Sequence, residues 1–188
     1  MLISKFNNEN VESQIIELEA KYGISIPNQY KEFLIDYNGG DTPQTQFKVG
    51  KISSDIRGFY GIGSVKLSLN NINLDKWIEQ DLIPIACDSF GNDIVINIGE
   101  TSYGKIFFCD HELGGKMSCI GDDFKSFIQC CTSKKISENS KKSIKERKKE
   151  LIANGRGHII DKALRKMWQD EIDKFGNMIQ EQVKIKDC

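Results

Sequence analysis

The chain has 188 residues, enough for one domain or for one domain with an appendage. Its 39% hydrophobic and 28% charged content is ordinary for a soluble globular protein and excludes disordered, collagenous and membrane-spanning classes. The net charge of −1 hides a division: residues 1–133 carry 11 Lys and Arg against 18 Asp and Glu, and residues 134–188 carry 15 against 9, nets of −7 and +6.

The opening "MLISKFNNENVESQ" offers no apolar stretch long enough for a signal peptide or a membrane span, which predicts a cytoplasmic protein. In "NVESQIIELEAKYG" the spacing of Val11, Ile15, Leu18 and Tyr22 predicts an amphipathic helix that ends at Gly23. "IPNQYKEFLIDYNGG" predicts a second helix with both ends marked. Pro27 suits only its first turn, Tyr30, Phe33, Leu34 and Tyr37 share a face, and Asn38, Gly39 and Gly40 stop it. "QFKVGKI" and "IRGFYGIGSV" have strand character broken by glycines, and "NINLDKWIEQ" a short helical turn.

Three runs, "LIPIAC", "DIVINI" and "GKIFFC", then read as strands joined by loops short enough for antiparallel neighbours. "DDFKSFIQCC" predicts a helix capped by Asp122 or Asp123, with Phe124, Phe127 and Ile128 on one face. Helices, a strand meander and a closing helix make an α+β pattern in which helices pack on a twisted, mainly antiparallel sheet.

Beyond Cys131 the composition shifts. "TSKKISENSKK" reads as a linker and "SIKERKKELIANG" as a short basic helix. Ile160, Leu164, Trp168, Ile172, Phe175, Ile179 and Val183 recur at steps of three and four. They predict a helix of roughly 40 Å, interrupted at Gly176 where a bend is expected, that must bury against the main domain or a second copy. The division expected is therefore a domain over 1–133 and a basic linker with a helical extension over 134–188.

Little in the chain suggests catalysis. Six cysteines without a signal peptide read as reduced thiols. "CDHE" at 109–112 is the one dense constellation. It reads either as a zinc site without any Cys-x-x-Cys to complete it, or as a strand ending in a solvated turn, and the second reading is favoured. Cys87 with His111 has the makings of a thiol and base, but Asp88 beside Cys87 opposes thiolate formation. "KKSIKERKK" is read as a solvated helix face in preference to a nucleic-acid foot.

The marked helix resembles the opening signature of the SUKH superfamily of Smi/Knr-like domains. "GFYGIGS", "IPIACDSFGNDIVINIG", "GKIFFCDHE" and "DDFKSFI" are similar, in order, to the family's later motifs, and the likeness spans about residues 10–131. The resemblance implies a cytoplasmic, non-catalytic binding module without metal or cofactor, and foremost an immunity protein that neutralises a bacterial toxin. The acidic balance of residues 1–133 adds that the toxin domain is expected to be basic, a nuclease being the example in mind, and neither a membrane nor a nucleic acid is expected as partner. The alternatives are a regulatory module that docks a partner or a second copy through the C-terminal helix, and a hydrolase using Cys87, Cys109 and His111. The family fixes no active site, so contacts are expected from exposed acidic turns: Asp36 and Asp41, Asp88 and Asp93, Asp110 and Glu112.

Overall fold

The computed structural model describes residues 1–186 and has an α+β architecture. Nine strands form one open sheet, and every ladder in it is antiparallel. In chain order they are β1 (Leu2–Lys5), β2 (Gly40–Val49), β3 (Ile52–Phe59), β4 (Leu82–Cys87), β5 (Asp93–Asn97), β6 (Ile106–Asp110), β7 (Lys116–Gly121), β8 (Cys131–Ser133) and β9 (Glu181–Gln182). The spatial order is β7-β6-β5-β4-β3-β2-β1-β9, with β8 also paired to β2. Strand β2 is long enough to serve two partners: β1 lies along its first residues and β8 along Thr45–Phe47.

Helices α1 (Val11–Tyr22), α2 (Asn28–Tyr37) and α4 (Phe124–Cys130) bury the faces that their spacing predicts. A short α3 (Leu74–Ile78) precedes β4. The centre of the core is aromatic. Phe33 sets its ring tilted against two others, 5.0 Å from Phe124 and 5.3 Å from Phe59 between centroids, and Phe127 meets Phe47 at 5.8 Å. Asp123 caps α4 through Ser126 N–H at 2.7 Å. The Gln29 amide ties α2 to that cap by donating to Asp123 at 3.2 Å and accepting from Lys125 N–H at 2.9 Å.

The end of α2 is the tightest corner. Asn38 takes the left-handed conformation, φ 50°, and Gly39 follows at φ 72°. A Cβ on Gly39 would lie 2.6 Å from the Phe59 carbonyl oxygen, closer than side chains ever stand. Asn38 is buried with its amide fully engaged: it donates to the carbonyls of Asn7 (2.6 Å) and Ile62 (3.1 Å) and accepts from Ile62 N–H (2.8 Å).

The long C-terminal helix expected from the apolar stripe is not formed. Helix α6 spans Lys162–Phe175 only. Gly176 and Asn177 end it, and the chain then turns into β9, which pairs Gln182 with Leu2 and Glu181 with Ile3. Val183 is buried, but from an extended segment whose N–H bonds Met1 O at 3.0 Å. The stripe kept its period through residues that have a better use as an edge strand.

The described chain divides into two compact units, residues 1–134 with 181–186 and residues 135–180. The second lies between β8 and β9 in the chain. It holds α5 (Ile144–Ala153), capped by Ser143 and Glu146, and α6, capped by Asp161. Arg147 braces it: buried, its guanidinium donates to the carbonyls of Lys142 (2.9 Å) and Ser140 (2.7 Å) and to Glu171 (2.6 Å), beside the Trp168 ring. The Gln180 amide bonds the backbone of Ile136 on both sides, at 2.6 and 3.0 Å, and so joins the two ends of the unit.

Two substitutions in α2 separate apolar packing from polar satisfaction. Phe33→Ala should destabilise by about 3–5 kcal/mol, because it empties the meeting point of four rings. Tyr30→Phe should stay within about 1 kcal/mol of wild type, because the buried Tyr30 hydroxyl has no hydrogen-bond partner among the described residues. Urea melts of the two variants check this, and a large loss in Tyr30→Phe would contradict it.

Candidate functional site

One end of the sheet gathers the β4–β5 loop, the β6–β7 loop and the start of β3. Asp88 organises it. This carboxylate is 2% exposed and accepts four hydrogen bonds, from Ser54 Oγ (2.7 Å), Phe90 N–H (2.9 Å), Asn92 N–H (2.8 Å) and the Asn92 amide (2.7 Å). Burial pushes its pKa up, but the bonds from Ser54, Asn92 and Phe90 outweigh that and hold it below the ordinary carboxylate range. The side-chain amide oxygen of Asn92 accepts from His111 N–H at 3.0 Å and meets His111 Nδ1 at 2.8 Å. An amide oxygen only accepts, so Nδ1 carries the proton in that contact. The two loops are thereby fastened to each other. Ser89 fastens them to β3, donating from N–H (3.1 Å) and Oγ (2.5 Å) to Asp55.

The acidic residues singled out in the sequence lie in different settings. Asp36 pairs with Lys186 at 3.6 Å, and Asp41 with Lys66 at 2.9 Å. Asp88 is taken up by the loop, the turn-capping role that aspartate commonly has. Asp93 is half-buried. It accepts from Tyr60 Oη at 3.1 Å, and burial pushes its pKa up. Asp110 turns the β6–β7 loop by accepting from the N–H groups of Glu112 (3.0 Å) and Leu113 (3.2 Å). Glu112 is exposed beside it. Asp88, Asp93, Asp110 and Glu112 thus share one end of the sheet, whereas Asp36 and Asp41 flank the Asn38 corner.

Sequence reasoning missed three apolar neighbours at this end. Phe90 is 68% exposed, Leu113 62% and Met117 47%. The available signal was a large aromatic inside "DSFGND", a turn whose other residues are all small or polar.

The thiols here are not activated. Burial pushes Cys87 and Cys109 upward, away from thiolate. Among the described residues no group of three His, Cys, Asp or Glu side chains is placed to hold a metal ion. No described helix is long and apolar enough to cross a membrane. Elsewhere in the first unit a cleft of about 470 Å³ lies between α1 and α3. On its wall Lys21 donates to Tyr22 Oη at 2.9 Å and Tyr22 to Asp75 at 2.7 Å.

The profile of the SMI1/KNR4 family (SUKH-1) matches residues 11–130, which covers the marked helix, the braced loops and α4. The chain belongs to the SMI1/KNR4 family. It is also similar to an uncharacterized SPbeta prophage-derived protein, YokK, of Bacillus subtilis (strain 168), at 28% identity over 149 residues, 66% of this chain and 76% of the relative. No solved structure matches. Domains of this family act in general as binding modules, toxin-immunity proteins among them.

Asp88→Ala should destabilise the protein by about 1–3 kcal/mol, since it strands the N–H groups of Phe90 and Asn92. Because the folded-state pKa of Asp88 is depressed, its contribution is present above the ordinary carboxylate pKa and is lost as pH falls through the folded value. The melting temperatures of wild type and Asp88→Ala should therefore converge in strong acid. A gap that is constant with pH would show that the charge of Asp88 contributes nothing.

Proposed function

We propose that this chain is a non-catalytic immunity protein of the bacterial cytoplasm that binds and neutralises a cognate toxin domain of basic charge. The observation that carries the reading is the use of polar groups at the sheet end. Asp88, Asn92, His111 and Asp110 spend hydrogen bonds on holding the loops in shape. A braced surface with spare carboxylates suits recognition. Charge agrees: residues 1–134 and 181–186 carry 19 Asp and Glu against 14 Lys and Arg, a net of −5.

A second reading, a regulatory module that docks its partner through the C-terminal helical unit, draws on a different fact. Residues 135–180 carry 12 Lys and Arg against 7 Asp and Glu, a net of +5, and expose Ile152 and Met167. A partner recruited there would be acidic, the opposite of the toxin described above.

The test is co-expression with the products of the neighbouring genes, among which the immunity reading expects a protein with a toxin-like C-terminal domain. The immunity reading expects rescue of growth and a stable purified complex. Reversing Asp93, Asp110 and Glu112 to Lys should slow association by roughly tenfold at low salt, and by less at high salt, because rim charges act mainly through the on-rate. Stopped-flow association at two salt concentrations, beside a thermal melt, measures it. Wild-type rates at both salts would remove the acidic rim from the reading, and absence of rescue would remove the immunity function.

A further inference from the structure

We infer that Phe90, with Leu113 and Met117 at the same end of the sheet, is the apolar anchor of this protein's interface, and that it enters an apolar pocket surrounded by basic residues on a partner protein. The inference rests on the immunity reading and names the surface that the reading requires.

Three observations carry it. The first is concentration. Among the described residues of the first unit the exposed large hydrophobics are Ile16, Phe90, Tyr103, Leu113 and Met117, and three of these five stand at one end of the sheet. Met117 sits opposite Cys109 in the β6–β7 ladder, and Leu113 lies in the loop between those strands. Phe90 belongs to the loop that Asn92 fastens to His111. An exposed apolar cluster rimmed by polar groups marks an interaction site in a way that single exposed residues do not.

The second is rigidity. The Phe90 N–H is held by the buried Asp88, the preceding Ser89 by Asp55, and Gly91 after it takes φ 90°. The Leu113 N–H is held by Asp110, and Gly115 N–H bonds Asp110 O at 2.8 Å. The backbone beneath each apolar side chain is therefore fixed in advance. A ring presented on a fixed backbone has only two torsions left to lose on binding, which is what makes aromatic residues efficient anchors.

The third is charge. The carboxylates of Asp55, Asp110 and Glu112 belong to the segments that carry or fasten these residues. Lys116 lies opposite Asp110 in the ladder and Arg57 is near enough to Cys87 to act on its thiol, so that acidic groups outnumber basic ones among them. An acidic rim favours a partner with basic residues around its pocket and disfavours an acidic one. It also disfavours a second copy of the same surface, which would bring like charges together.

The experiment uses the full chain and the toxin domain that co-expression identifies, in a catalytically dead form. Phe90→Ala should raise the Kd by about tenfold or more, mainly through faster dissociation, and Leu113→Ser should raise it less. Ile16→Ala, equally exposed on α1, should leave the Kd unchanged. Because Phe90 and Leu113 are exposed, all three variants should melt as wild type does. Toxin binding that survives both Phe90→Ala and Leu113→Ser overturns this inference and leaves the immunity reading standing. Absence of binding by the wild-type chain overturns both. Light scattering adds one further outcome: a wild-type dimer that Phe90→Ala converts to monomer would put a second copy on this surface and overturn the choice of partner.

Discussion

The fold depends on the corner where α2 meets the sheet. At Asn38 and Gly39 the helix must stop, reverse and enter β2 while β3 and the residues after it pass against the same backbone. A Cβ on Gly61 would stand 2.1 Å from the Asn38 carbonyl oxygen, so the two backbones touch where no side chain fits. The Asn38 amide then saturates three backbone groups from two other segments, which converts a local helix stop into a long-range clamp. With that clamp set, Phe33 falls on Phe59 and Phe124, and α2 covers the middle of the sheet. The emphatic marking of this helix in the sequence is thus the chemistry of one crossing point.

The same clamp governs the far end of the sheet. Strand β3 is fixed beside β2 at Gly40–Phe59 and beside β4 at Gly58–Cys87, so the position of its first half follows. That half carries Ser54 and Asp55, the residues that hold Asp88 and Ser89. The loops at this end of the sheet therefore take part of their geometry from the corner, to which Tyr60, packed on Gly39, also links Asp93 directly. Asp88 completes the transfer. A buried carboxylate without a counter-charge is tolerated only when its lone pairs are filled, and four donors fill them. The loop is consequently specified as one arrangement, which is what a recognition surface needs.

Much of this was legible. Helices α1, α2 and α4 announce themselves by local rules, because apolar spacing, Asp123 as a cap and the Asn-Gly-Gly stop all act within one or two turns. Strands β4, β5 and β6 were legible from continuous apolar runs. Strands β1, β7, β8 and β9 were not, since "CTS" and "EQ" become strands only through partners more than 80 residues distant. The C-terminal stripe misled for a physical reason. Helical periodicity records which residues seek burial, and Val183 is buried, but an edge position beside β1 was open to it once Gly176 ended the helix. At the candidate site, acidic turns could be read but their occupancy could not. Whether an aspartate caps its own loop, as Asp88 does, or stays free for a partner depends on strands that the sequence does not order.

The charge division acquires a structural meaning from the way the chain returns. Because β9 re-enters the sheet beside β1, the basic segment is an excursion between two strands of the acidic unit, closed at its neck by the Gln180 amide. It has its own brace in Arg147, so its helices do not rely on the periodicity of a long tail. The net charge of −1 is thus a near-cancellation of −5 in the first unit and +5 in the second. In the interface proposed for the sheet end, steering and holding fall to different groups. The carboxylates around the sheet end act on the encounter from a distance and are screened by salt, whereas the apolar residues they surround act only in contact and are not. An interface built in this way can alter its rate of capture and its lifetime separately, by changing the rim in one case and the anchor in the other.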